Sequence, residues 1–295
     1  AKAGLMTHLY ERPQNLDQAL DLLPQQEWTL LAGGTDIYPA ATEAFAWGRP
    51  APDRILDLSA LSSLGTIAET ATAYRIGSLV TWSQVIASNL PDWFDCLRLA
   101  GREVGGVQIQ NRGTVAGNIC NASPAADGVP ALLVLDASVE LRSAAAIRTL
   151  PIADFIRGNR RTDRRTDELV TAIIIPKRDA AARSTFRKLG ARRYLVISIA
   201  MVAVLVETDG DGRITFARVS VGACSEVAQR LHELESALIG RAIDAPLAAL
   251  ASDEALSALS PIGDVRGSAT YRQHAATVLV GRTLEAFRSH PEVTA

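Results

Sequence analysis

Residues 114–127 read TVAGNICNASPAAD and run through Gly128 into the apolar VPALLVL of 129–135. Such a concentration of small and amide-bearing residues has two readings. It is an irregular loop between core elements, or its backbone lies close against something bound. Thr114 and Asn118 offer polar side chains beside Gly113 and Gly117. Ser123-Pro124 has the form of an N-cap followed by proline at the first helical position. Asp127 then falls in the first helical turns, where a carboxylate is stabilised and can accept bonds from ligand hydroxyls. Taken alone, the stretch leaves both readings open.

A second stretch, LLAGGTD at 30–36, has the same logic. The apolar run 28–32 reads as a buried strand stopped by Gly33-Gly34. Residues 37–45 read as a helix, with Thr35 or Asp36 as N-cap and Pro39 tolerated in the first turn. A strand entering Gly-Gly and then a helix presents bare N–H groups and a hydroxyl at one turn. That suits a phosphate, because glycine permits close approach and the helix dipole favours an anion. A β-branched residue at Gly34 is expected to fill this cleft. The same turn also occurs in plain packing. It is neither a G-x-G-x-x-G fingerprint nor a P-loop, since no G-K-[ST] follows.

Together the two stretches, about 80 residues apart, argue for a ligand. Both lead into helices, and neither brings a nucleophile–base pair or metal ligands. The histidines (His8, His232, His274, His290) are scattered. This is an architecture for an extended phosphate-containing cofactor that carries the chemistry itself.

Composition bounds the rest. The 295 residues, 48% hydrophobic, suffice for two or three cores. With 30 basic against 32 acidic residues, nothing suggests electrostatic nucleic-acid binding. Cys96, Cys120 and Cys224 form no C-x-x-C, so no zinc site or iron–sulfur cluster arises from this chain alone. They fit packing roles in a reducing compartment. The longest apolar run, 195–206, is too short to span a bilayer. The opening residues lack an apolar signal core, so a cytoplasmic location is expected.

Further elements follow from periodicity: helices at 15–23, 81–89 and 94–104, and strands at 53–58, 74–77, 139–142 and 169–176. Residues 195–206 and 214–222 read as strands joined by a turn at Gly210-Asp211-Gly212. Three helices are expected at 227–238, 245–259 and 268–287. Strands followed by segregated helices indicate an α+β chain.

AGGTD, TVAGNICNASPAAD and KLGARR (188–193) resemble the FAD-binding medium subunit of the molybdenum hydroxylases, the family of xanthine dehydrogenase and carbon monoxide dehydrogenase. The resemblance extends over nearly the whole chain, through YERPQNLDQAL, GNRRT (158–162), DELVTAIIIP (167–176) and DVRGSATYRQHAATVLVGRTL (264–284). It implies a two-part FAD-binding domain of the vanillyl-alcohol-oxidase type at 1–58 and 59–180, then a C-terminal domain of antiparallel sheet plus helices at 181–295. It implies FAD phosphates on Ala32, Gly33, Gly34, Thr35 and Asp36, flanked by Leu31 and Ile37. Thr114, Gly117, Asn118, Ser123 and Asp127 would wrap the pyrophosphate and ribityl chain, with Asp127 on ribityl hydroxyls. Lys188 would stand near the isoalloxazine, with Val170 and Ile197 packing against it.

The same resemblance implies an electron-transfer subunit. Its partners would be a small iron–sulfur subunit and a large subunit carrying the molybdenum cofactor, in a dimer of heterotrimers, with NAD or another acceptor. This chain departs from the pattern at Gln110, where arginine is usual, and at Ala116 in T-V-A-G-N; both are compatible with FAD. Animal xanthine dehydrogenases carry acids where Tyr194-Leu195-Val196 stands, so the acceptor is left open. No cysteine-bearing insertion for an extra cluster is present. Two other readings are a self-contained flavin reductase or oxidase, related in fold to the enolpyruvyl-glucosamine reductases, and a repurposed non-catalytic module.

Overall fold

The computed structural model describes residues 9–46, 52–193 and 195–288. His8, Tyr194 and His290 lie outside them. The chain opens with a three-stranded parallel sheet in which Arg54–Asp57 lies between Leu9–Glu11 and Thr29–Leu31. The helix Leu16–Leu22 is capped by the Asn15 side chain, which accepts from Gln18 N, and it buries Ala19 and Leu20. With Trp28, Leu56, Leu61 and Leu64 these side chains form a small leucine-rich core. The helix Ile37–Ala46 starts after Thr35-Asp36, two residues past Gly34, as expected.

Next comes a five-stranded antiparallel sheet in the order Ile67–Glu69, Ala73–Gly77, Leu169–Pro176, Ser138–Arg142, Ile147–Pro151. Leu169–Pro176 is central, and its first five residues are buried. A strand covered on both faces needs no polar alternation, hence its near-continuous apolar sequence. The helices Trp82–Ala87, Asp95–Glu103, Val115–Asn121 and Gly128–Val134 pack with this sheet in the largest core.

The C-terminal sheet runs Arg183–Leu189, Ala200–Thr208, Ile214–Gly222, Gln229–Arg230. Its strand Ala200–Thr208 sorts its side chains by parity. Met201, Ala203 and Leu205 enter the large core, whereas Ala200, Val202, Val204 and Val206 enter a separate one beneath the helix Ala269–Glu285. The two-residue side-chain period sends alternate residues to opposite faces, so this strand joins two cores.

Arg272 explains part of the DVRGSATYR sequence. Its buried guanidinium donates to Ile199 O at 2.7 Å, Ala223 O at 2.9 Å and Asp264 Oδ1 at 2.7 Å. The Arg272 hydrogen bond, with help from Arg266, holds the Asp264 carboxyl well below the usual carboxylate range. The motif therefore ties the last helix to the sheet.

Four expectations need correction. The strand expected from residue 195 begins at Ala200, where pairing with Leu189 starts, and residues 195–199 are irregular. Only His232–Leu238 of 227–238 is helical, since Gln229–Arg230 pairs with Ile214–Gly222. Of 245–259, one 3-10 turn forms at Leu247–Leu250 after Pro246, and Leu247, Leu256 and Leu259 anchor separately in the C-terminal core. The fourth, Ser123-Pro124, concerns the cavity below. Among the described residues, no helix is long and apolar enough to cross a membrane.

Candidate functional site

One cavity of about 760 Å³ lies where these units meet, within the usual range for small-molecule sites. Of the site residues expected from sequence, Ala32, Gly33, Gly34, Thr35, Asp36, Ile37, Thr114, Gly117, Asn118, Ser123, Asp127, Val170, Lys188 and Ile197 all line it. Leu31 does not. It is 4% exposed, and Leu30 takes its place on the wall. Strand alternation explains the exchange, because neighbouring residues face opposite ways.

The two glycine stretches meet backbone to backbone. A Cβ built on Gly33 would stand 1.9 Å from Arg112 O. Gly34 has φ +75°, and a Cβ there would meet the Tyr38 ring at 2.4 Å. The steric reason for glycine at 34 is thus backbone conformation and Tyr38, rather than the cleft itself.

TVAGNICNASPAAD is less irregular than its composition suggests. Thr114 caps the helix Val115–Asn121, its Oγ1 accepting from Gly117 N at 2.9 Å. Ser123-Pro124 does not start the next helix; it lies in a turn closed by Ala126 N donating to Ser123 O at 3.0 Å. The helix Gly128–Val134 begins later, with Asp127 in the N-cap position. Gly128 N donates to Asn118 Oδ1 at 3.2 Å, tying the two helices together.

Asp127 makes no capping bond because its carboxylate is engaged elsewhere. Oδ2 accepts from Lys188 Nζ at 2.7 Å and Oδ1 from Ser198 Oγ at 2.6 Å. Lys188 also donates to Glu103 O at 3.2 Å. Both ion-pair side chains are nearly closed to solvent, at 5% and 9% exposure. Burial pushes the Asp127 carboxyl above its ordinary range, against the opposing pull of Lys188 and Ser198. Beside this cluster stand Leu195 and Ile197, each 59% exposed, with Ile109 and the buried Val170.

Several cavity residues escaped sequence reasoning. Asn121 Nδ2 donates to Asp36 Oδ1 at 2.7 Å, and Asn121 Oδ1 accepts from Arg160 Nη1. Arg160, at the tip of the hairpin Ile156–Gly158/Arg161–Thr162, has φ +58° and reaches the cavity with Arg164. GNRRT reads in the sequence as the start of an arginine-rich loop and as part of the resemblance, but composition does not reveal a left-handed arginine. Ser198 stands out in the sequence only as the interruption of the apolar run 195–206, which says nothing of its partner. Cys120, expected as packing, is exposed and lines the cavity. Cys96 and Cys224 are buried, and burial pushes the thiols of Cys96, Cys120 and Cys224 up to about 12, about 11 and about 11. Among the described residues, no group of three or more His, Cys, Asp or Glu is placed to hold a metal.

Comparison with known proteins gives this geometry a context. A family model described as the FAD binding domain in molybdopterin dehydrogenase matches residues 5–178. A second, the CO dehydrogenase flavoprotein C-terminal domain, matches residues 164–287. The chain is 31% identical over 282 residues to the nicotine 6-hydroxylase medium subunit of Paenarthrobacter nicotinovorans, covering 93% of this chain and 95% of that protein. It is 30% identical to the glyceraldehyde dehydrogenase medium chain of Sulfolobus acidocaldarius, covering 95% and 96% of the two chains. Among solved structures, it is similar to carbon monoxide dehydrogenase from Hydrogenophaga pseudoflava lacking the Mo-pyranopterin moiety, with TM-score 0.86, 26% identity and coverage of 95% and 98%. It is likewise similar to quinoline 2-oxidoreductase from Pseudomonas putida 86, with TM-score 0.84, 26% identity and coverage of 95% and 96%.

Proposed function

The chain belongs to the FAD-binding medium-subunit family of the molybdenum hydroxylases, and from that premise we propose that it binds FAD in this cavity to relay electrons between partners. Substrate would be hydroxylated at molybdenum in a large subunit, and electrons would arrive through iron–sulfur clusters of a small one. NAD or another acceptor would take them from here, in a dimer of heterotrimers. FAD, when bound, supplies reversible one- and two-electron chemistry.

The observation that carries this reading is the convergence of two glycine stretches on one cavity, with Gly33 too close to Arg112 O for any side chain. The residues present fit the cofactor. Gly33, Gly34 and Thr35, with the amino end of the helix Ile37–Ala46, offer N–H groups and a hydroxyl to a pyrophosphate. Gly117 and Asn118 face them. Lys188 would hold a proton donor toward the isoalloxazine, while Val170, Leu195 and Ile197 would exclude water from its faces. Asp127 would position Lys188 through their ion pair and keep lone pairs for ribityl hydroxyls. Under the same proposal, residues 1–58 and 59–180 form the two halves of the cofactor domain, and 181–295 closes it with Lys188 and Ile197.

The test is direct. The purified chain, or the complex that contains it, should show the flavin absorption band or acquire it when FAD is added. A chain that never takes up FAD sinks the reading. Cys120 supplies an independent check, since it is exposed on the cavity while Cys96 and Cys224 are buried. At alkaline pH, needed because burial raises the Cys120 thiol to about 11, N-ethylmaleimide should modify one cysteine in ligand-free protein, and FAD should slow that reaction by about tenfold or more, as expected for a covered thiol. Equal labelling with and without FAD would put the cofactor elsewhere.

A further inference from the structure

Ser78 is 6% exposed, and its Oγ has no hydrogen-bond partner. Its backbone N–H is satisfied, donating to Thr171 O at 3.1 Å. A buried polar atom without a partner is a standing cost to the ligand-free fold. Ser78 also borders the cavity, whose lining includes Leu30, Leu58, Leu79 and Leu169. These four leucines belong to, or pack against, the small core beneath the parallel sheet.

This part of the wall differs from the part around Lys188. There, Asp127 accepts from Lys188 and Ser198, and Lys188 also donates to the backbone carbonyl of Glu103. Ser78 shares none of those bonds. It combines broad aliphatic surfaces with one unsatisfied hydroxyl. Leucine side chains suit the faces of a flat heterocycle. A hydroxyl that can both donate and accept suits a ring edge carrying amine and ring nitrogens.

Resting on the FAD reading above, we propose that Ser78 is a ligand contact, its hydroxyl hydrogen-bonding the edge of the adenine ring. The leucine-lined part of the cavity is then the adenine subsite. The residue supplies affinity and registers the dinucleotide; it takes no part in the redox chemistry.

The test is Ser78→Ala in the full chain, stripped of flavin and titrated with FAD. Loss of one neutral hydrogen bond predicts about five- to tenfold weaker binding. The absorption band of FAD bound to the variant should match that of the unmodified chain, because on this proposal the flavin ring lies beside Lys188 and the adenine beside Ser78. The ligand-free variant should melt at the same temperature or higher, since an orphaned hydroxyl has been removed. Unchanged FAD affinity overturns the proposal, and so does a lower melting temperature of the ligand-free variant, which would mean the hydroxyl serves the fold. If the unmodified chain itself fails to bind FAD, the cofactor reading falls and this inference with it.

Discussion

Gly33→Ala is expected to leave a folded chain that no longer retains FAD through gel filtration. The added methyl would sit 1.9 Å from Arg112 O, well inside contact distance, and the obstacle is backbone that no rotamer change can move. The loop 32–36 and the turn before Thr114 must then part by about an ångström, and a misplacement of that size costs about 100-fold at a site that depends on pre-set geometry. Gly34→Ala is the instructive contrast. Its φ of +75° makes a side chain strained by about 1–2 kcal/mol, and its Cβ meets the ring of Tyr38. Tyr38 is 56% exposed and can turn aside, so this variant should lose less flavin. The flavin-to-protein absorbance ratio decides the matter. Equal occupancy in Gly33→Ala and the unmodified chain would mean that the two loops do not clamp the cofactor.

Lys188→Met should be the most destabilising single change at the site. Removing one partner of a buried pair strands the other charge, at a cost of about 3–5 kcal/mol. Here the stranded group is Asp127, which keeps only the Ser198 hydroxyl. The pH dependence gives the effect a signature. Burial already raises the Asp127 carboxyl in the folded state, and loss of Lys188 raises it further. A carboxyl whose folded pKa lies above its unfolded one contributes stability at low pH and loses it as pH rises through the folded value. The deficit of Lys188→Met should therefore be largest at neutral pH and shrink on acidification. Denaturant melts at several pH values measure it. A deficit independent of pH would show that Asp127 does not carry the effect.

Much of the fold was legible because it rests on local signals. The apolar spacing of 15–23, the Gly33-Gly34 break and the run at 169–176 each declare an element within a few residues. The family motifs placed most cavity residues. What local pattern could not convey were partnerships across the chain. Asp127 reads as a lone acid at a helix start, and nothing nearby reveals Lys188, 61 residues away, or Ser198, 71 away. The same holds for Ser78, whose unsatisfied hydroxyl exists only once the fold has buried it. The helix Val115–Asn121 was missed for another reason. Its Ala, Gly and Asn content argues for a loop, yet burial of Val115, Ala116 and Ile119 overrides weak propensity. At 245–259 the opposite happened, and an alanine-rich periodicity suggested a helix that Pro246 and three separated leucine anchors do not permit.

The convergence of distant segments on one cavity also sets an order of events during biosynthesis. Chains emerge from the ribosome amino end first, and early units can fold while later ones are still being made. The wall at 30–37 and the wall at 113–127 are complete long before Lys188, Ser198 and the strand Ala200–Thr208 exist. A nascent chain therefore presents a half-built cradle with Asp127 unpaired, and the cavity is finished only after residue 198 and the sheet behind it have emerged. Cofactor capture is in this sense expected to be a late step, and a bound flavin would report that the chain has been made at least through the sheet containing Ala200–Thr208.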